Sequence, residues 1–128
     1  MDRKLTEADH QTLVVCWAKK ICIAGRVELD LLLHVPNGEK RDAATASKLK
    51  RLGVRKGVSD LFLPVMVGGY GGLWIEMKAD GGKLSAEQEG WIASMCERGY
   101  RAVACWSWQE AIACPEVDME TMAARLVK

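Results

Sequence analysis

The stretch that most constrains this chain runs from Gly57 to Lys78 and reads GVSDLFLPVMVGGYGGLWIEMK. Two apolar runs flank a glycine-rich connection, Gly68-Gly69-Tyr70-Gly71-Gly72, a pattern that predicts an antiparallel hairpin. Strand side chains alternate faces. Leu61, Leu63 and Val65 therefore share one face of the first run, with Asp60, Phe62 and Pro64 on the other. Pro64 cannot donate to a ladder, so it marks an edge or a bulge near the strand end. In the second run Leu73, Ile75 and Met77 form the core face, and Trp74, Glu76 and Lys78 the opposite one. The glycines are not those of a phosphate-binding loop: no Gly-Lys-Ser/Thr trails them and no helix follows. What stands out is two carboxylates and a lysine set in otherwise apolar strands.

The rest of the chain supplies layers for this hairpin. Thr6, with Asp9 three residues on, predicts the start of a helix that carries Leu13, Val14, Trp17 and Ile21 on one face and stops at Gly25. Leu29 to Val35 (LDLLLHV) reads as a strand stopped by Pro36, Asn37 and Gly38. Ala43 to Leu52 reads as a short basic helix closed by Gly53. Ser85 and Gln88 form a capping box for a helix to about Arg98, with Trp91, Ile92, Met95 and Cys96 as its buried stripe. Arg101 to Trp106 reads as a strand. Ser107 and Glu110 open a further short helix ending near Cys114 and Pro115, and Glu116 to Val127 reads as a final helix. A helix between two strands implies a right-handed crossover and a parallel pair. The expected fold is α/β: one domain over residues 1–128, with a mixed β-sheet flanked by helices.

Composition narrows the setting. With 49% hydrophobic and 27% charged residues the chain is ordinary for a globular domain, and its net charge of +1 does not announce a nucleic-acid partner. The distribution says more. Between Lys40 and Lys56 lie Lys40, Arg41, Lys48, Lys50, Arg51, Arg55 and Lys56 against the single acid Asp42. Such a run is commonly a solvated helix face, but this one adjoins the carboxylate-bearing hairpin, where it could meet phosphate. The five cysteines include no C-x-x-C pair and are expected to be buried free thiols of a reducing compartment. The start, MDRKLTEADH, is not a signal peptide, and no apolar run reaches the roughly 20 residues of a membrane span. A soluble, cytoplasmic protein without a membrane partner is expected.

Asp60, Glu76 and Lys78 suit phosphodiester hydrolysis. That reaction needs a hard cation held by oxygen ligands, a positive group for the developing charge, and a placed water. Asp60 and Glu76 supply two carboxylates, the Met77 carbonyl between Glu76 and Lys78 can add a ligand, and Lys78 can orient water or neutralise phosphate. The competing reading is a charged strand face bearing a Glu–Lys pair. Glu7 and Gln88 also have two readings each: Glu7 as a first-turn acid favoured by the helix dipole or as part of the site, Gln88 as a capping residue or a contact to water or phosphate. His10 and His34 lack metal-ligand spacing.

The ordered set of Glu7 with Gln11, His34-Val35-Pro36-Asn37-Gly38 with Arg41, Gly53 to Leu61 (GVRKGVSDL), Gly72 to Lys78 (GLWIEMK), Leu84 to Gln88 (LSAEQ), Gly99-Tyr100 and Ser107-Trp108 resembles a known family. It is similar to the stand-alone VRR-NUC domain, the virus-type replication–repair nuclease branch of the PD-(D/E)XK superfamily, of the phage or bacterial type. The chain departs from the family's pattern at Ser59, where proline precedes the aspartate; proline is not a ligand. The resemblance implies a restriction-endonuclease-like fold and Mg²⁺- or Mn²⁺-dependent DNA cleavage. Asp60, Glu76, Lys78 and Gln88 map to catalytic positions, and Glu7, Asp60, Glu76 and Met77 to the metal. It also implies branched-DNA substrates such as four-way junctions, a homodimer, and, for a phage protein, the cytoplasm of the bacterial host. Asn37, Lys40, Arg41, Lys48, Arg55 and Lys56 are the candidate DNA contacts. Trp106, Trp108 and the C-terminal segment are candidates for an interface, with core packing as the competing use. The alternative function is a non-catalytic DNA-binding module on the same scaffold.

Overall fold

The alternation in the hairpin is realised strand by strand in a computed structural model that describes residues 4–36, 42–66 and 68–115. Strand β2 (Leu61–Leu63) pairs antiparallel with β3 (Leu73–Met77), Leu61 opposite Ile75 and Leu63 opposite Leu73. These four side chains and Met77 are almost fully buried, as the period of two requires. The paired segment of β2 is shorter than the apolar run; the expected Ser59–Val65 strand contracts to its centre, and Pro64 lies just past its end. Strand β4 (Arg101–Cys105) lies parallel to β3, reached through helix α3 (Ala86–Glu97), so the parallel pair and the mixed sheet are as expected. The described strands run in the order β1-β2-β3-β4, with β1 (Leu33–His34) at one edge.

Helix α1 (Glu7–Ile23) opens on the capping box of Thr6 and Asp9 and packs on β3. His10, Val14 and Ala18, four apart, are its buried stripe; Leu13 is exposed instead. His10 is there for a reason the sequence did not disclose: its Nδ1 accepts the Trp108 N–H at 3.1 Å, closing the start of α4 (residues 108–115).

Three expectations change. Leu29–Val35 is not one strand: Val27–Leu31 is a 3₁₀ turn and only Leu33–His34 pairs with β2. The core takes Leu29 and Leu32, three apart, whereas a strand would have buried alternate residues; Leu31 and Leu33 remain exposed. Cys96 also leaves the stripe assigned to α3, where Trp91, Ile92 and Met95 are half-buried and Cys96 is exposed. Cys16 is likewise exposed and Cys22 intermediate, so only Cys105 and Cys114 are the buried free thiols foreseen. The Cys114 thiol, followed by burial, pushes the Cys105 thiol well up, which keeps it inert.

Helix α2 (Ala43–Arg51) forms as expected, capped by Asp42 accepting the Thr45 N–H at 2.7 Å, a bond that lowers the Asp42 pKa. None of its residues is buried. The expected final helix from Glu116 to Val127 lies outside the described residues. No helix among the described residues is long and apolar enough to cross a membrane.

Candidate active site

The site grows from the end of the β2–β3 pair. Asp60 stands one residue before β2, and its Oδ2 accepts the Met77 N–H at 2.7 Å, so the backbone of β3 aims this carboxylate. Glu76 shares the outward face of β3 with Trp74 but is only 2% exposed. Its Oε1 is buried without a hydrogen-bond partner. Burial, then a side-chain hydrogen bond with Asp60 and the negative charge there, push the Glu76 carboxyl from 4.5 up to about 9; Lys78 pulls the other way and Glu7 adds to the rise. Asp60, Lys78 and Glu7 thus all act on Glu76 at the strand end.

Lys78 is 7% exposed. Its N–H donates to the Cys105 carbonyl at 2.8 Å, extending the β3–β4 ladder, and its Nζ lies 3.8 Å from Oε1 of Glu7 on α1. Glu7 therefore joins the cluster through the lysine. Among the described residues no three His, Cys, Asp or Glu side chains gather closely enough to hold a metal by themselves. Two adjacent carboxylates and a backbone carbonyl still meet the habit of Mg²⁺, which takes one or two carboxylates and keeps its waters. The residues fit such an ion on a further ground. A buried carboxylate with an orphaned oxygen, beside a second carboxylate, is costly unless protonated or met by a cation.

Gln88 closes the capping box of α3: its Oε1 accepts the Ser85 N–H at 2.8 Å, and its own N–H donates to Ser85 Oγ at 3.1 Å. The carbonyl end serves the cap, leaving the NH₂ end for any other contact. The same helix turn closely approaches the chain at Gly57, three residues before Asp60. A Cβ there would lie 2.5 Å from the Glu87 backbone, and its φ of +86° disfavours other residues. Ser59 is fully buried with an unpartnered Oγ.

Of the candidate DNA contacts, Lys48, Arg55 and Lys56 are exposed, while Asn37, Lys40 and Arg41 lie outside the described residues. The Arg55 guanidinium sits 5.5 Å over the Trp91 ring, which itself packs edge-on to Trp74, 5.2 Å away. Trp74 stacks on Phe62 at 4.1 Å. The outward face of the hairpin is therefore aromatic up to the point where Glu76 and Asp60 begin.

A family model, the VRR-NUC domain, matches residues 6–109. This chain belongs to the VRR-NUC domain family. A solved structure titled "VRR_NUC domain protein" superposes with a TM-score of 0.79 at 32% identity, covering 93% of this chain and 92% of that one. No curated protein matches the chain. The family is of nuclease type, and the α/β architecture expected from the pattern of strands and helices is the one this VRR-NUC relative has.

Sequence reasoning offered Trp106 as an interface or core residue and missed the bond it makes. Its Nε1–H donates to the Gly82 carbonyl at 2.7 Å, across the loop that follows Lys78. Nothing in the spacing points to this contact, which joins residues 24 apart.

Proposed function

We propose that this VRR-NUC domain is a divalent-metal-dependent DNA endonuclease of the PD-(D/E)XK type. The observation that carries the reading is Glu76: a buried carboxylate with an unpartnered oxygen, set beside Asp60 and two residues before a buried lysine. A charged strand face would sit in solvent; this one is folded inward at a cost that a cation would relieve.

Asp60, Glu76 and the Met77 carbonyl are the proposed ligands, with Glu7 at the rim. When bound, Mg²⁺ or Mn²⁺ supplies a Lewis acid for the phosphoryl oxygen and a lowered pKa for water. The chain's own residues do the rest. The Met77 N–H holds the Asp60 carboxylate in place, so the backbone of β3 fixes its position beside Glu76. Lys78 Nζ, tethered towards Glu7, donates to a phosphate oxygen or orients the attacking water. The Gln88 NH₂ group donates to water or phosphate while its carbonyl stays in the cap. Lys48, Arg55 and Lys56, with Asn37, Lys40 and Arg41, neutralise backbone phosphates; such contacts position a duplex without reading its sequence. Recognition by shape suits branched DNA, and paired cuts across a four-way junction require two sites, which a twofold dimer provides.

The test is a panel of labelled four-way junction, flap, splayed and linear duplexes incubated with Mg²⁺ or Mn²⁺. Wild type is expected to make paired, symmetric incisions near a junction. Asp60→Asn, which keeps an acceptor for the Met77 N–H, should fold and lose about 10³-fold or more in rate. Full activity in Asp60→Asn sinks the site; binding without cleavage in either metal leaves the non-catalytic DNA-binding module.

A further inference from the structure

Lys78 has a long flexible stem, and a lysine that must present Nζ to a phosphate needs that stem held. Strands β3 and β4 end side by side, Met77 opposite Cys105, with the Lys78 N–H on the Cys105 carbonyl. Beyond this last rung the two chains part. One enters the turn Ala79–Gly82, closed by Gly82 N–H to Ala79 O at 2.9 Å with Gly81 at φ +82°. The other enters Trp106. The Trp106 backbone is fixed, since its N–H donates to Glu110 Oε2 at 2.7 Å. Its indole N–H then reaches back across the gap to the Gly82 carbonyl at 2.7 Å. Gly82 in turn flanks the lysine stem, leaving room for little more than a Cβ between them: a Cβ there would be 3.5 Å from Lys78 Cδ and 3.0 Å from Ala79 O.

We propose that Trp106 is a positioning residue for Lys78, acting through the Ala79–Gly82 turn. Two hydrogen bonds run from Glu110 to Trp106 to Gly82, and Gly82 borders the Lys78 stem, whose Nζ lies 3.8 Å from Glu7 Oε1. Trp106 is 38% exposed, so core burial does not account for an indole here; its directed hydrogen bond does. The turn is otherwise a surface loop carrying two glycines, held besides, among the described residues, only by its own Gly82–Ala79 bond and a solvent-exposed Lys4–Asp80 ion pair at 3.7 Å, which contributes little. What Lys78 does in the reaction rests on the nuclease reading above; the pinning of the turn does not.

The experiment is Trp106→Phe, which keeps one aromatic ring and removes the indole donor together with the second ring; because Trp106 is 38% exposed the lost packing is small. In the metal-free protein, hydrogen exchange across residues 79–84 should rise several-fold, about 5-fold or more, while the melting transition stays close to wild type. In metal-loaded protein cutting a junction, kcat should fall about 10-fold with KM within about 2-fold, because displacement of a catalytic group costs rate rather than binding. In a Lys78→Met background the same substitution should change the residual rate by less than about 2-fold, since both changes act through one side chain. Unchanged exchange, unchanged kcat in an otherwise active enzyme, or an equal loss in both backgrounds overturns the proposal; the last would mark a purely structural role. A wild-type chain that cuts no DNA removes the nuclease reading and the positioning role together. An active wild type indifferent to Trp106→Phe removes the positioning role alone.

Discussion

Replacing Glu76 with glutamine should stabilise the metal-free protein at neutral pH and abolish cleavage. Burial first, then the hydrogen bond and charge of Asp60, hold the Glu76 carboxyl at about 9 against an ordinary 4.5. Between those values the folded chain keeps the proton and the unfolded chain releases it. The native state therefore binds more protons, and stability falls as pH rises through this window. The loss begins near the unfolded value and is complete above the folded one. At about pH 7 it amounts to roughly 3 kcal/mol, since each pH unit above the unfolded pKa costs about 1.4 kcal/mol. Glutamine has no charge to bury, and its NH₂ can donate to Asp60 as the protonated carboxyl does. In a domain of this size roughly 3 kcal/mol corresponds to about 10 °C in Tm. Urea denaturation in EDTA at about pH 5, 7 and 8.5 reads the effect. Wild type should weaken steadily across that series and Glu76→Gln should be flatter, with the gap widest at the alkaline end. Added Mg²⁺ should stabilise wild type more as pH rises, because its binding expels the Glu76 proton, and should leave Glu76→Gln unmoved. Parallel pH curves, or a mutant weaker than wild type at about pH 8.5, would refute the argument that this carboxylate is strained by its burial.

Other perturbations separate the scaffold from the site. Gly57→Ala should destabilise by about 2 kcal/mol or more and disturb cleavage with it, because its Cβ would strike the Glu87 backbone at a positive φ; denaturation and junction cutting measured on the same samples check this, and an unaffected protein would refute the close approach. His10→Ala should cost about 1–3 kcal/mol by orphaning the Trp108 N–H, seen as a lower urea midpoint with no change in metal response. Ser59→Ala should be neutral or stabilising, since the hydroxyl is buried without a partner; a loss above about 1 kcal/mol would show that a bound water satisfies it. Alanine at Lys48, Arg55 and Lys56 together should weaken junction binding at low salt and lower the slope of log Kd against log salt by about 0.9 for each lost phosphate contact. An unchanged slope would mean that these side chains are only a solvated face.

Much of this molecule was legible along the chain, for a local physical reason. The capping boxes of Thr6 with Asp9 and Ser85 with Gln88 close within one helical turn, so residue type at a spacing of three suffices to see them. The hairpin was legible because alternation in a strand is as local as a code can be: Leu61, Leu63, Leu73, Ile75 and Met77 went inward as a set, carrying Asp60, Glu76 and Lys78 to the other face. Where one apolar side chain follows another without a period, as in Leu31-Leu32-Leu33, local sequence leaves the conformation open, and packing chose a 3₁₀ turn that buries Leu29 and leaves Leu32, just after it, half-buried against the core.

Tertiary structure alone decided the rest, because it depends on groups far apart meeting at fixed distances. It placed the Met77 N–H on Asp60, so one carboxylate is aimed by the backbone of the other's strand. It drew Glu7 to Lys78 across 71 positions of chain and Trp106 to Gly82 across the end of the sheet. Above all it buried Glu76. The sequence by itself determined that a carboxylate would stand on that face of the hairpin. Only the packed fold, by stripping water from it beside Asp60, made it a group that must hold a proton or meet a cation.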